Sequence, residues 1–117
     1  MVIVAELPAI YFVQQPPADV TGHVGGSVHL GCSARSRNLG QVEVTWVKDG
    51  GEVVEGDGRR SVTQSGSLVI APVMSGVVLI SPRGNDTTEG DEGVYRCIAR
   101  QGGVAIVSTP ATLHIAS

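Results

Sequence analysis

The stretch Asp91-Glu92-Gly93-Val94-Tyr95-Arg96-Cys97 decides the fold. It has the form D-x-G-x-Y-x-C. Side chains alternate across a strand with period two, so Tyr95 and Cys97 share one face. From that face the Tyr95 hydroxyl can bond backbone at the corner that feeds the strand. Asp91 and Gly93 are turn residues suited to that corner. Two residues far upstream complete a three-point pattern: Cys32, then Trp46 14 positions later, then Tyr95-x-Cys97 near the end.

The set Cys32, Trp46, Asp91, Gly93, Tyr95 and Cys97 resembles the immunoglobulin superfamily, and the resemblance covers nearly the whole chain. It implies an all-β fold: a Greek-key β-sandwich of two antiparallel sheets joined by one disulfide, Cys32 to Cys97, with Trp46 packed on that bond. Trp46, Tyr95, Asp91 and Leu68 are the expected structural residues of the core. The two cysteines lie 65 positions apart. Closing so long a loop stabilises by roughly 4 kcal/mol in the chain-entropy model, and such a bond belongs to an oxidising compartment. The alternative is a reduced, buried pair in a cytosolic sarcomeric domain. The family also pairs an Arg with the motif Asp. Arg59 or Arg60 resembles that residue, and an exposed pair with Asp91 would contribute at most ~1 kcal/mol.

Bulk numbers bound the rest. A chain of 117 residues is one domain by its length. Its 8 Lys and Arg against 11 Asp and Glu give a net charge of −3, which argues against nucleic acid as a partner. One Trp, one Phe and two Tyr make a poor platform for stacking bases. No apolar run approaches the roughly 20 residues of a membrane span. Residues 1–8 begin Met-Val-Ile-Val-Ala, with no basic n-region and too short an apolar run for a signal peptide. They are expected to be an extension left by excision from a longer parent, with residues 9–117 forming the domain.

Along the chain, residues 9–24 suggest a first strand split by Pro16-Pro17, which forces a break or an edge. Residues 27–34 alternate, with Val28, Leu30 and Cys32 inward. Residues 35–41 suggest a polar loop holding Arg35 and Arg37. Residues 42–48 alternate again, with Val42, Val44 and Trp46 inward, and Asp49-Gly50-Gly51 is a hairpin turn. A short edge strand (52–55) and a strand over 59–64 follow. Residues 67–73 turn Leu68 and Ile70 inward. Residues 93–101 bring Tyr95, Cys97 and Ala99 inward, Gly102-Gly103 turns, and a long last strand runs over 104–115, broken near Pro110. The short middle and the split first strand resemble the I-set. Residues 25–34, 46–50, 65–70 and 91–97 are similar to the first immunoglobulin domains of neuronal guidance and adhesion receptors, of the netrin-receptor/neogenin or Roundabout type.

The chain departs from that pattern once. Asp91 lies 21 positions beyond Ile70, and an insertion at about 74–90 fills the gap. It contains Val77-Val78-Leu79-Ile80. Four apolar residues in a connection need a cause: an added β segment folded back on the domain, or an apolar surface for a partner or a second copy. The same insertion carries Asn85-Asp86-Thr87, an N-glycan acceptor sequon in a secreted protein.

The sequence contains no nucleophile–base constellation, and an enzyme is not expected. His23, His29 and His114 fall on separate strands without metal spacing. Asp86, Glu89, Asp91 and Glu92 do not follow the order of a calcium loop. Eight dispersed basic residues, Arg83 among them, read as scattered solubility charges and do not by themselves argue a heparin site. No cofactor is expected. The resemblance implies an extracellular recognition or adhesion module of a single-pass cell-surface receptor, with axon guidance among the roles of such receptors, that binds a protein ligand or itself. A structural sarcomeric or cytoskeletal domain is the alternative. The candidate contacts are Val77, Val78, Leu79 and Ile80 in the insertion. Val104 and Ile106, with Val47 and Ile98, are expected on the outer face of the sheet built from 42–48, 93–101 and 104–115.

Overall fold

Alternating apolar residues separated by turn residues fold here into two packed sheets. The computed structural model describes residues 9–38, 40–53, 55–82, 84–88 and 90–116, and within 77–81 and 85–88 it describes backbone. The expectations for residues 1–8, Val54, Arg83 and Glu89 lie outside the described residues.

The larger sheet runs in the order β2 (Asp19–His23), β13 (Ala111–Ala116), β11 (Gly93–Gln101), β5 (Glu43–Lys48), β6 (Gly51–Glu52), with β12 (Val104–Val107) also paired to β11. The facing sheet runs β3 (Val28–Leu30), β8 (Leu68–Ile70), β7 (Arg60–Val62). β1 (Ile10–Gln14) pairs with β4 (Ser33–Ser36), which follows β3 after Gly31 and Cys32. The prolines at 16 and 17 separate β1, which forms a two-stranded sheet of its own with β4, from β2, which joins the larger sheet.

Three details differ from the sequence reading. β2 and β13 pair in parallel, from Asp19 opposite Thr112 to His23 opposite Ala116, so one ladder of an otherwise antiparallel sandwich is parallel. Arg35 lies in β4, opposite Tyr11, and not in a loop; Arg37 follows, its guanidinium 4.6 Å from the Tyr11 ring centre. The last strand is two strands, β12 and β13, because Ser108, Thr109 and Pro110 leave the ladder. Ser108 stays bonded to Cys97: its N–H donates to the Cys97 carbonyl at 2.9 Å, while its hydroxyl accepts the Cys97 N–H at 2.9 Å and donates to the Thr109 carbonyl.

The core lies between the sheets. Leu30, Leu68, Ile70, Val73, Tyr95 and Leu113 are buried around the bonded pair Cys32–Cys97, with Trp46 beside them. Each large aliphatic side chain there contributes about 1.5–3 kcal/mol by leaving water. The Trp46 indole N–H donates to the Gly66 carbonyl at 2.8 Å. Gly66 sits at φ 109°, where a Cβ would stand 3.0 Å from Val44 and 3.1 Å from the Cys32 carbonyl, so both backbone and space demand glycine. The Cys32 N–H is held by the Ser67 hydroxyl.

Asp91 is fully buried, which changes its weight. Arg59 reaches it with two bonds, at 2.7 and 3.2 Å, and Arg60 with a third at 3.1 Å. The Met74 N–H donates to the same carboxylate at 2.7 Å. Both arginines therefore take the role expected of one. The pair is not the exposed bridge of ~1 kcal/mol foreseen from sequence, because its acceptor has lost its water. Burial by itself raises the Asp91 pKa; Arg59, the Met74 N–H and Arg60 together outweigh it and hold the carboxylate below its ordinary value. The Tyr95 hydroxyl donates to the Asp91 carbonyl at 2.6 Å, and burial, then the nearby Asp91 charge, push the Tyr95 pKa up.

Candidate recognition surfaces

Two surfaces come from the elements that the sandwich leaves uncovered. One is the insertion. Between β8 and β11 the chain forms β9 (Val77–Ser81) and β10 (Gly84–Thr88), an antiparallel pair from Ser81 opposite Gly84 to Val77 opposite Thr88. β-branched and apolar residues favour the first strand, and Pro82 falls in the turn, where its missing N–H costs no ladder bond. Among the described residues these two strands pair only with each other. The insertion forms a β segment that does not extend either sheet.

Its stem is tied at the motif itself. The Asp91 N–H donates to the Met74 carbonyl at 2.8 Å, while the Asp91 carboxylate accepts from the Met74 N–H. Glu92 accepts from the Gly76 N–H at 3.0 Å and from the Ser75 hydroxyl at 3.4 Å. Lys48 donates to the Gly90 carbonyl at 2.6 Å. A Cβ on Gly90 would collide with the Gly76 nitrogen, so glycine is required where the two legs of the stem meet. The acidic residues near 90 thus have structural tasks. Among the described residues no group of three or more His, Cys, Asp or Glu is placed to hold a metal ion.

The second surface is the outer face of β5, β11 and β12. Register decides which residues it carries. Ala99 is fully buried and stands opposite Ile106, so Ile106 lies on the inner side of its strand. Val104, opposite Gln101, shares that side; it is 39% exposed because it lies at the end of the strand. Both were expected on the outer face, and the register corrects that. The outward residues of this strand are Ala105, opposite Arg100, and Val107, opposite Ile98 and 57% exposed. The signal that could have located them is the two-residue turn at Gly102-Gly103, which fixes phase across the hairpin. Val47 and Ile98 do lie on the outer face, with Thr45, Arg96 and Arg100. A cleft of about 340 Å³ there is lined by Glu43, Thr45, Val47, Glu52, Ile98 and Arg100. Arg100 donates to the Thr45 hydroxyl at 2.9 Å. The face is therefore apolar at Val47, Ile98 and Val107 and charged around them.

His23, His29 and His114 are exposed, and His114 faces Asp19 at 3.2 Å. No helix among the described residues is long and apolar enough to cross a membrane. Asn85 lies on β10, opposite Ile80.

Comparison with known proteins adds a family to this geometry. A model described as immunoglobulin domain matches residues 11–100. Mouse neogenin is 35% identical over 108 residues, covering 91% of this chain and 6% of neogenin. Mouse protogenin is 32% identical over 106 residues, covering 91% of this chain and 8% of protogenin. The chain thus spans a small part of these curated relatives. Among solved structures, the N-terminal Ig1-2 module of the Drosophila receptor protein tyrosine phosphatase DLAR superposes with a TM-score of 0.71 at 21% identity, covering 94% of this chain and 48% of that one.

Proposed function

The chain belongs to the immunoglobulin domain family, and from that premise we propose that it is one extracellular recognition and adhesion module of a longer cell-surface receptor. Its partner is a protein, and the domain itself carries no chemistry. The observation that carries this reading is the outer face of β5, β11 and β12, where Val47, Ile98 and Val107 form an apolar strip bordered by Glu43, Glu52, Arg96 and Arg100. Protein interfaces combine an apolar centre with a polar rim in this way. The buried Cys32–Cys97 bond and the Asn85 sequon support an oxidising, glycosylating route to the cell exterior. The neogenin and protogenin likeness supports a receptor parent that crosses the membrane once and acts in guidance or adhesion.

The test uses beads coated with the oxidised chain and offered to intact cells. Wild-type beads are expected to bind sites that trypsin removes. Beads carrying Val107→Glu are expected to bind at least tenfold less, since the new charge stands in the apolar strip at a position open enough to leave the fold intact. Equal binding by both, or none by either, overturns the assignment of this face.

A further inference from the structure

Resting on the recognition reading above, we propose that two copies of this chain pair through β9, strand against strand and antiparallel, to form the four-stranded sheet β10–β9–β9–β10. A strand in an antiparallel pair turns every second N–H and C=O away from its partner. β9 has β10 on one side and, among the described residues, no strand on the other. Such an edge is a template for one more strand. Natural edges are blunted by Lys, by Pro or by a bulge. β9 reads Val-Val-Leu-Ile-Ser, with no charge and no proline, and its register with β10 runs without a shift.

The occupant is a second copy because this strand complements itself. A two-fold interface brings each residue against its counterpart. Centred on Leu79, the antiparallel pair sets Leu79 against Leu79, Val78 against Ile80 and Val77 against Ser81, with no like charges opposed. β10 reads Gly-Asn-Asp-Thr-Thr and has no such match: the same operation centred on Asp86 opposes two carboxylates, and the Asn85 sequon lies on that strand. In the proposed sheet both copies of β10 are outermost, where a glycan on Asn85 stands clear of the junction. The stem ties at Met74–Asp91 and Gly76–Glu92 hold the hairpin in place before binding, which lowers the ordering cost of association.

The test is sedimentation of the oxidised chain over a wide concentration range, beside Leu79→Lys and Leu79→Glu. Wild type is expected to rise from the mass of one chain to that of two. Each charged variant is expected to stay at one chain with its thermal midpoint unchanged, and an equimolar mixture of the two is expected to return to the double mass. Hydrogen exchange supplies a measurement free of variants: amide protection in β9 is expected to rise with wild-type concentration, and protection in β10 is not. A wild type that stays single, a dimer that neither variant breaks, or variants whose mixture does not recover overturns the proposal. A single chain that still binds cells through the Val107 face leaves the recognition reading standing. A dimer with no cell binding does the reverse.

Discussion

Asp91 is where the motif does most for the molecule. Its carboxylate takes bonds from Arg59, Arg60 and the Met74 N–H, and its own carbonyl and N–H serve Tyr95 and the stem. Asp91→Ala is expected to cost about 3 kcal/mol in denaturant unfolding, since removing one partner of a buried pair strands the others. The two arginines keep some water, with side chains 20% and 18% exposed, which holds the loss near the low end. Acid unfolding follows the same residue. Its folded pKa is depressed, so its contribution is complete above the ordinary carboxylate value of 3.8 and is lost as pH falls from there through the folded value. Asp91→Asn is expected to flatten that part of the stability profile. The neighbours of the cysteines were not legible in the sequence. Ser67 and Ser108 read only as members of the strands over 67–73 and 104–115, because a hydroxyl that bonds backbone across a sandwich leaves no periodic trace.

At the scale of elements, strands whose two faces differ were legible and strands that look alike on both faces were not. Val28, Leu30 and Cys32 alternate with His29 and Gly31, and Tyr95, Cys97 and Ala99 with Arg96 and the half-buried Ile98, and their inward face was plain. β12 reads Val-Ala-Ile-Val, so composition could not set its phase; pairing with β11 did. The parallel placement of β2 beside β13 had no local signal either, since one read as the second half of a split first strand, the other as the end of the last strand, and their pairing spans almost the whole chain. The insertion was visible as an excess of length. Its closure by Asp91 and Glu92 was not, because hydrogen bonds from Met74 and Gly76 backbone do not depend on their side chains. That closure has a testable result. Replacing residues 77–88 by a short glycine turn, with Met74, Gly76 and residues 90–92 kept, is expected to change unfolding free energy by less than about 1 kcal/mol, as shortening a closed loop has a small entropic effect. A larger loss would place the hairpin within the cooperative core.

For the molecule as a whole, the Cys32–Cys97 bond is the largest single constraint on the unfolded chain. Material taken from expressing cells and unfolded without reductant is expected to show no reactive thiol, and its mass is expected to include a glycan on Asn85. Reduction is expected to lower stability by about 4 kcal/mol. Two reactive thiols would instead return the chain to a reducing, intracellular setting. The parallel β2–β13 ladder has a mechanical meaning in a receptor that joins cells. β2 lies near the entry of the chain and β13 near its exit, and both run the same way. In the receptor proposed above, tension from neighbouring domains would first meet β1 and its ladder with β4, and beyond that would pull the start of β2 and the end of β13 in opposite directions along a common axis. The ladder is then loaded in shear, so its bonds bear the force together and do not open one at a time. Traction along the chain would have to strip β1 from β4 and then break this seam before it reached the residues around the Cys32–Cys97 bond.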